Sequence, residues 1–148
     1  MIALYLSKNE SLSPMNVFVY GTLKPGEFNY PRYCEGKVLT YQDAIAYGQL
    51  YHLQARGYPA MMTGDGTVYG VLLTFRNTKP LSDLDYLEDY LPHRAPEENE
   101  YQRQEIEIFD LDFQSLGYAW AYVMLPDRVQ FLRGIPLPKG VWPGESQK

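Results

Sequence analysis

The sequence predicts an α+β domain built round a small, closed or nearly closed sheet. Three observations lead there. Strand patterning recurs in about five or six segments, with one main helical segment among them. Tyrosine is abundant, at 14 of 148 residues, and it suits strands and half-buried walls, where the ring packs and the hydroxyl finds a partner. A glycine loop follows directly on the first buried strand. The length fits one domain with one sizeable core.

The elements follow in chain order. Residues 1–14 read as an N-terminal extension, because Ser11, Ser13 and Pro14 break structure before the first strand. The domain spans 15–137, and 138–148 is a Pro/Gly-rich tail. Val17-Phe18-Val19-Tyr20 is a buried strand, and Gly21 to Gly26 a sharp loop. Ala44 to Leu53 alternates small and aromatic residues as a second strand. Thr63-Gly64-Asp65-Gly66 is expected as a hairpin turn leading into a strand from Val68 to Phe75. Residues 80–90 form a short helix, 91–100 a long connector, Tyr101 to Phe109 an alternating strand, and Gly117 to Leu125 a last strand stopped by Pro126.

Composition narrows the function classes. The net charge is −5, with no basic run and no basic–aromatic alternation, so a nucleic-acid partner is not expected. No apolar run approaches the roughly 18 residues of a membrane span. The N-terminal apolar stretch is short and lacks a basic flank, so no membrane association and a cytoplasmic location are expected. The single cysteine, Cys34, excludes an internal disulfide framework and reads as a small, partly buried hydrophobe. His52 reads as structural and His93 as exposed. No metal-ligand spacing is present, and Gly64-x-Gly66-x-x-x-Gly70 does not fit a dinucleotide fingerprint. Nothing in the chain sets an oligomeric state.

Two segments carry chemistry. A glycine loop at a strand end exposes consecutive backbone N–H groups that can hold a carboxylate or an oxyanion, and Gly21 removes a Cβ from the approach. The plain alternative is an ordinary turn. In the helical segment, with Leu84 set at zero, Leu87, Leu91 and Leu81 fall at about 300°, 340° and 60°, and Glu88 at about 40°, among them. Asp85 and Asp89 fall at about 100° and 140°, toward solvent or its margin. A carboxylate on an apolar face has a raised pKa, as a general acid or base near neutral pH requires. The alternative is local pairing of Glu88 with Arg94 or Arg103. Loop 91–100 reads either as a lid or as a solvated connector.

Taken together, these segments resemble the gamma-glutamylcyclotransferase-like family. Val17-Phe18-Val19-Tyr20-Gly21-Thr22-Leu23-Lys24-Pro25-Gly26 is similar to its opening mark, a buried strand running into Tyr-Gly-Ser/Thr-Leu with a later Gly. Leu84-Asp85-Tyr86-Leu87-Glu88-Asp89-Tyr90, then Tyr101-Gln102-Arg103, is similar to its helix end and following Tyr-x-Arg. Weaker marks are Ala119-Trp120-Ala121-Tyr122-Val123 and Gly57-Tyr58-Pro59-Ala60. The likeness covers residues 16 to about 125. Asp89 stands where a Gly is common, and the connector to Tyr101 is longer than in many members.

The resemblance implies a small mixed β-barrel with flanking helices, and a cavity holding the first loop and a glutamate. It implies Glu88 as the catalytic acid–base residue, with Tyr20, Gly21, Thr22, Leu23, Tyr101 and Tyr122 binding substrate. It implies a small-molecule γ-glutamyl amide or dipeptide substrate, cyclised to 5-oxoproline without metal or organic cofactor. Two alternatives stay beside it: a non-catalytic binding module on the same scaffold, and an enzyme transferring or hydrolysing the γ-glutamyl group.

Overall fold

The computed structural model describes residues 13–143; most of the expected N-terminal extension and residues 144–148 of the expected tail lie outside them. The elements are β1 (Met15–Val19), α1 (Tyr30–Tyr33), β2 (Val38–Leu53), β3 (Tyr58–Phe75), α2 (Leu81–Leu87), a 3-10 turn at Pro96–Glu98, β4 (Gln102–Phe109), β5 (Ser115–Val123), α3 (Pro126–Phe131) and β6 (Ile135–Pro136).

The strands close into a ring. β1 pairs antiparallel with β3 and parallel with β5, β5 with β4, and β2 with β3. The ring is completed where Ile45 of β2 meets Phe109 of β4, a single pair, so the sheet is barrel-like rather than evenly closed. The short β6 adds to β2 outside the ring. The expected α+β class and mixed, barrel-like sheet are thus present, with three short helices at its margins.

Side-chain alternation explains how five strands make a core. Phe18, Ala44, Ala46, Leu50, Met61, Val68, Leu72, Ile108, Ala119, Ala121 and Val123, from all five ring strands, form one buried cluster. Residues from every strand of a ring meet only across its interior, and four alanines suit so narrow a space. The opposite faces of β1 and β3, through Val17, Val19, Leu73 and Phe75, join Leu84 of α2 in a second cluster. Cys34 is fully buried there, and burial pushes its thiol up to about 12.

Four expectations need correction. Thr63–Gly66 is not a hairpin turn: β3 runs unbroken from Tyr58, and the turn lies at 54–57, where the Arg56 and Gly57 N–H groups donate to Leu53 C=O. Tyr47 pairs with Thr67 but Gln49 with Met62, so Gly48 alone faces four residues in a wide bulge. Glycine is required there, since a Cβ on Gly66 would sit 2.7 Å from Gly48 O and one on Gly48 2.8 Å from Met62 O. The helix stops at Leu87 instead of reaching residue 90, so Leu91 leaves the apolar face and is exposed. Pro126 does more than stop a strand, for it opens α3 within the first helical positions.

The fourth correction concerns the C-terminal boundary. The chain stays in the domain beyond residue 137. Trp142 is 1% exposed and packs in the ring cluster. Its indole Nε1–H donates to His52 Nδ1 at 3.1 Å, and Gly140 C=O accepts from Tyr69 N–H at 2.8 Å. The physical reason is that one bulky aromatic among Pro and Gly buries enough surface to hold a loop segment down. Trp142→Ala is expected to lower unfolding free energy by about 3–5 kcal/mol, measured by urea denaturation; an unchanged midpoint would remove Trp142 from the core.

Candidate active site

β1 ends at Val19, and the chain turns at once. Lys24 N–H donates to Gly21 C=O at 3.1 Å, and Asn29 holds the far side through its N–H to Thr22 C=O at 2.9 Å and its side-chain amide to Thr22 Oγ1 at 2.9 Å. Among the described residues, the N–H groups of Gly21, Thr22 and Leu23 donate to no protein acceptor. Gly21 is glycine for a reason the sequence did not show: a Cβ there would lie 2.7 Å from Pro59 Cγ on β3. The ring of Trp142 lies behind the same position, and Trp142 C=O accepts from Lys24 Nζ at 3.2 Å. The loop is therefore fixed from two sides.

Glu88 arrives from α2. It is the first residue past the helix, and its N–H donates to Leu84 C=O at 3.0 Å. Its carboxylate has no hydrogen-bond or ion-pair partner among the described residues. Arg103 is committed to Asp85, with Nη1 2.7 Å from Oδ2, and Arg94 to Asp89 and Asn99. Local pairing of Glu88 with either arginine is thereby excluded. Surrounded by protein and unpaired, the carboxyl is pushed up to about 8, by burial first and the negative Glu100 second.

Loop and helix end meet in one cavity, which holds about 570 Å³ of empty space with its open mouth included. All seven residues singled out by sequence line it: Tyr20, Gly21, Thr22, Leu23, Glu88, Tyr101 and Tyr122. The tyrosines are anchored rather than loose. Tyr20 OH donates to Tyr122 C=O at 2.6 Å and accepts from Met61 N–H at 3.0 Å. Tyr101 OH donates to Pro59 C=O at 2.6 Å, and Tyr122 OH to Asp85 Oδ1 at 2.7 Å. Burial above all holds these phenols well above their usual range, so they stay neutral. Asp85, expected toward solvent or its margin, is partly exposed and binds Tyr122 and Arg103 from behind the wall; the neighbouring strands supply partners that a helical angle alone does not reveal.

Sequence reasoning missed part of the wall: Phe18, Val19, Asn29, Tyr58, Pro59, Leu87 and Glu100. Glu100 matters most. Its carboxylate accepts from Tyr58 OH at 2.9 Å and from Arg56 Nε at 3.1 Å. The only sequence signals were its place just before Tyr101 and the Gly57-Tyr58-Pro59 stretch. His93 is exposed and takes no part. Among the described residues no group of three His, Cys, Asp or Glu side chains could hold a metal ion, and no helix is long and apolar enough to cross a membrane.

Glu88 also links stability to pH. Its folded-state pKa of about 8 lies above the ordinary carboxylate value of 4.5, so in that window the folded chain binds the proton more tightly than the unfolded chain. Stability is expected to fall as pH rises from about 4.5 to about 8. Glu88→Gln should flatten that decline in denaturation curves across the range; an unchanged slope would contradict the burial argument.

With this geometry in hand, likeness to known proteins is informative. Residues 17–143 match the family described as Gamma-glutamyl cyclotransferase, AIG2-like. A Vibrio cholerae protein named "Putative gamma-glutamylcyclotransferase" is 36% identical over 108 residues, 72% of this chain and 79% of that protein. An AIG2-like protein from Mus musculus shares the fold with TM-score 0.65 at 19% identity, over 90% of this chain and 92% of that one. YkqA from Bacillus subtilis does so with TM-score 0.60 at 21% identity; 88% of this chain aligns, but it spans only 40% of that longer protein. The chain belongs to the Gamma-glutamyl cyclotransferase, AIG2-like family.

Proposed function

We propose that the chain is an enzyme that cyclises the glutamyl part of a γ-glutamyl amide or dipeptide to 5-oxoproline and releases the amine. The observation that carries this reading is the unpaired Glu88 facing an open cavity beside a loop of unengaged backbone N–H groups. The family and the similarly named Vibrio relative support it.

The substrate supplies its own nucleophile. Its α-ammonium gives a proton to the Glu88 carboxylate, and the freed amine nitrogen attacks the γ-carbonyl carbon. A C–N bond closes the five-membered ring. As the tetrahedral centre collapses, the original amide C–N bond breaks and Glu88 gives its proton to the departing nitrogen; the carboxylate then takes the second proton of the ring nitrogen and passes it to the released amine, which leaves as an ammonium. No proton is gained or lost overall, so one carboxyl suffices. A carboxyl pushed up to about 8 is a stronger base than an ordinary carboxylate, which lowers the cost of taking a proton from an ammonium group.

The remaining parts hold geometry. Gly21, Thr22 and Leu23 present N–H groups to the negative oxygen atoms of substrate or intermediate. The anchored rings of Tyr20, Tyr101 and Tyr122 shape a cavity in which the glutamyl chain is folded for ring closure. The binding-module alternative is disfavoured because neither Tyr101 nor Arg103 plugs the cavity: Arg103 does not line it, and the Tyr101 hydroxyl donates to Pro59 C=O.

The test is incubation with γ-glutamyl dipeptides and γ-glutamyl amines, following 5-oxoproline by mass spectrometry. Glu88→Gln is expected to keep its circular dichroism spectrum and lose turnover by about 10²–10⁴-fold. Full turnover in that variant would sink the assignment, and free glutamate as the product would replace cyclisation by hydrolysis.

A further inference from the structure

The acid–base reading of Glu88 leaves loop 91–100 unexplained, and this inference rests on that reading. Most of the loop is exposed, as in a solvated connector, but its two ends are held together. It joins the end of α2 to the start of β4, with a cavity glutamate beside each end: Glu88 precedes Asp89, and Glu100 follows Asn99. One side chain grips both neighbours. Arg94 Nη2 donates to Asp89 C=O at 2.7 Å and to Asp89 Oδ1 at 3.0 Å, while Nε donates to Asn99 Oδ1 at 2.7 Å.

The two ends also touch directly. Glu100 N–H donates to the same Asp89 C=O at 3.1 Å. Asn99 is 2% exposed, and its Oδ1 also accepts from Leu91 N–H at 3.1 Å. Asp89 has φ of 53°, the left-handed conformation in which many helices end and which Asp adopts more readily than most residues with a Cβ. The Arg94 fork holds Asp89 in that conformation through both its C=O and its carboxylate. A planar guanidinium fixes two acceptors at one spacing, which an ammonium does not.

We propose that Arg94 is a positioning residue that clamps the two ends of loop 91–100 together, so that Glu88 works beside a second, fixed carboxylate, Glu100. The other groups around Glu88 are the neutral phenols of Tyr20 just after β1, Tyr58 from β3, Tyr101 and, from β5, Tyr122. Asp85 and Arg103 neutralise each other behind Tyr122, and Arg56 reaches Glu100 from the exposed side. Burial is the larger cause that holds the proton on Glu88, and Glu100 is the negative group whose placement adds to it.

The experiment follows Glu88 through carbon-13 spectra of its side-chain carboxyl, in protein labelled at glutamate and titrated without substrate. It is run beside the pH profile of 5-oxoproline release. Arg94→Met and Glu100→Gln should each lower the Glu88 midpoint by about half a pH unit or more, and move the acid limb of turnover the same way. Arg94→Lys, the milder change, should give a smaller shift in the same direction. Adding Arg94→Met to Glu100→Gln should give no further shift. A clamp that merely stabilises the fold would lower the melting temperature and leave the Glu88 titration in place; that result, or additive shifts in the double variant, overturns the proposal. Because the titration needs no turnover, absence of 5-oxoproline would count against the cyclisation reading alone.

Discussion

One hydroxyl group sits where the rest of the site begins. Tyr20, the residue after β1, places its phenol oxygen between Tyr122 C=O on β5 and Met61 N–H on β3. It donates to one and accepts from the other, so three strands are pinned at the end of the ring where the cavity opens. The bond is enclosed, and each partner group would be costly to leave unpaired. It fixes the height at which the chain leaves β1, hence where Gly21 meets Pro59 and where the loop amides point. It also fixes the part of β5 that carries Tyr122, and through Tyr122 and Asp85 the helix that ends at Glu88. Wall, loop and carboxylate are set by one connected series of contacts.

Much of this was legible in local sequence. Val17 to Tyr20 announced a buried strand because four apolar residues stood before a glycine loop. Glu88 announced itself because a helical angle depends only on nearest neighbours. What failed was whatever depends on pairing. Thr63–Gly66 has turn composition, and only the register of β2 against β3 makes it a bulge opposite Gly48. Asp85 was expected toward solvent or its margin, and its angle could not show Tyr122 and Arg103 arriving there from β5 and β4. Glu100 was one glutamate among several in a polar loop until Tyr58 and Arg56 met it. The same holds for Trp142, whose partners His52 and Lys24 lie far back along the chain.

The two cavity glutamates differ in a way that bears on chemistry. Both are carboxylates in a partly enclosed space, but Glu100 has a phenol and a guanidinium as donors, whereas Glu88 has none. Environments that treat paired carboxyl groups unequally separate their roles: the supported group is held in place, and the unsupported one is free to exchange a proton. The asymmetry is built from distant segments, since Arg56 lies in the β2–β3 turn and Tyr58 just after it, while Glu88 closes a helix. A chain that placed an arginine fork on Glu88 would stabilise its anion and lose its use as a base that must also become an acid. Arg94 and Arg103 are both within reach in sequence, and each is engaged elsewhere, with Asp89 and Asn99 or with Asp85. Those engagements keep Glu88 unpaired, and the acid–base reading depends on that.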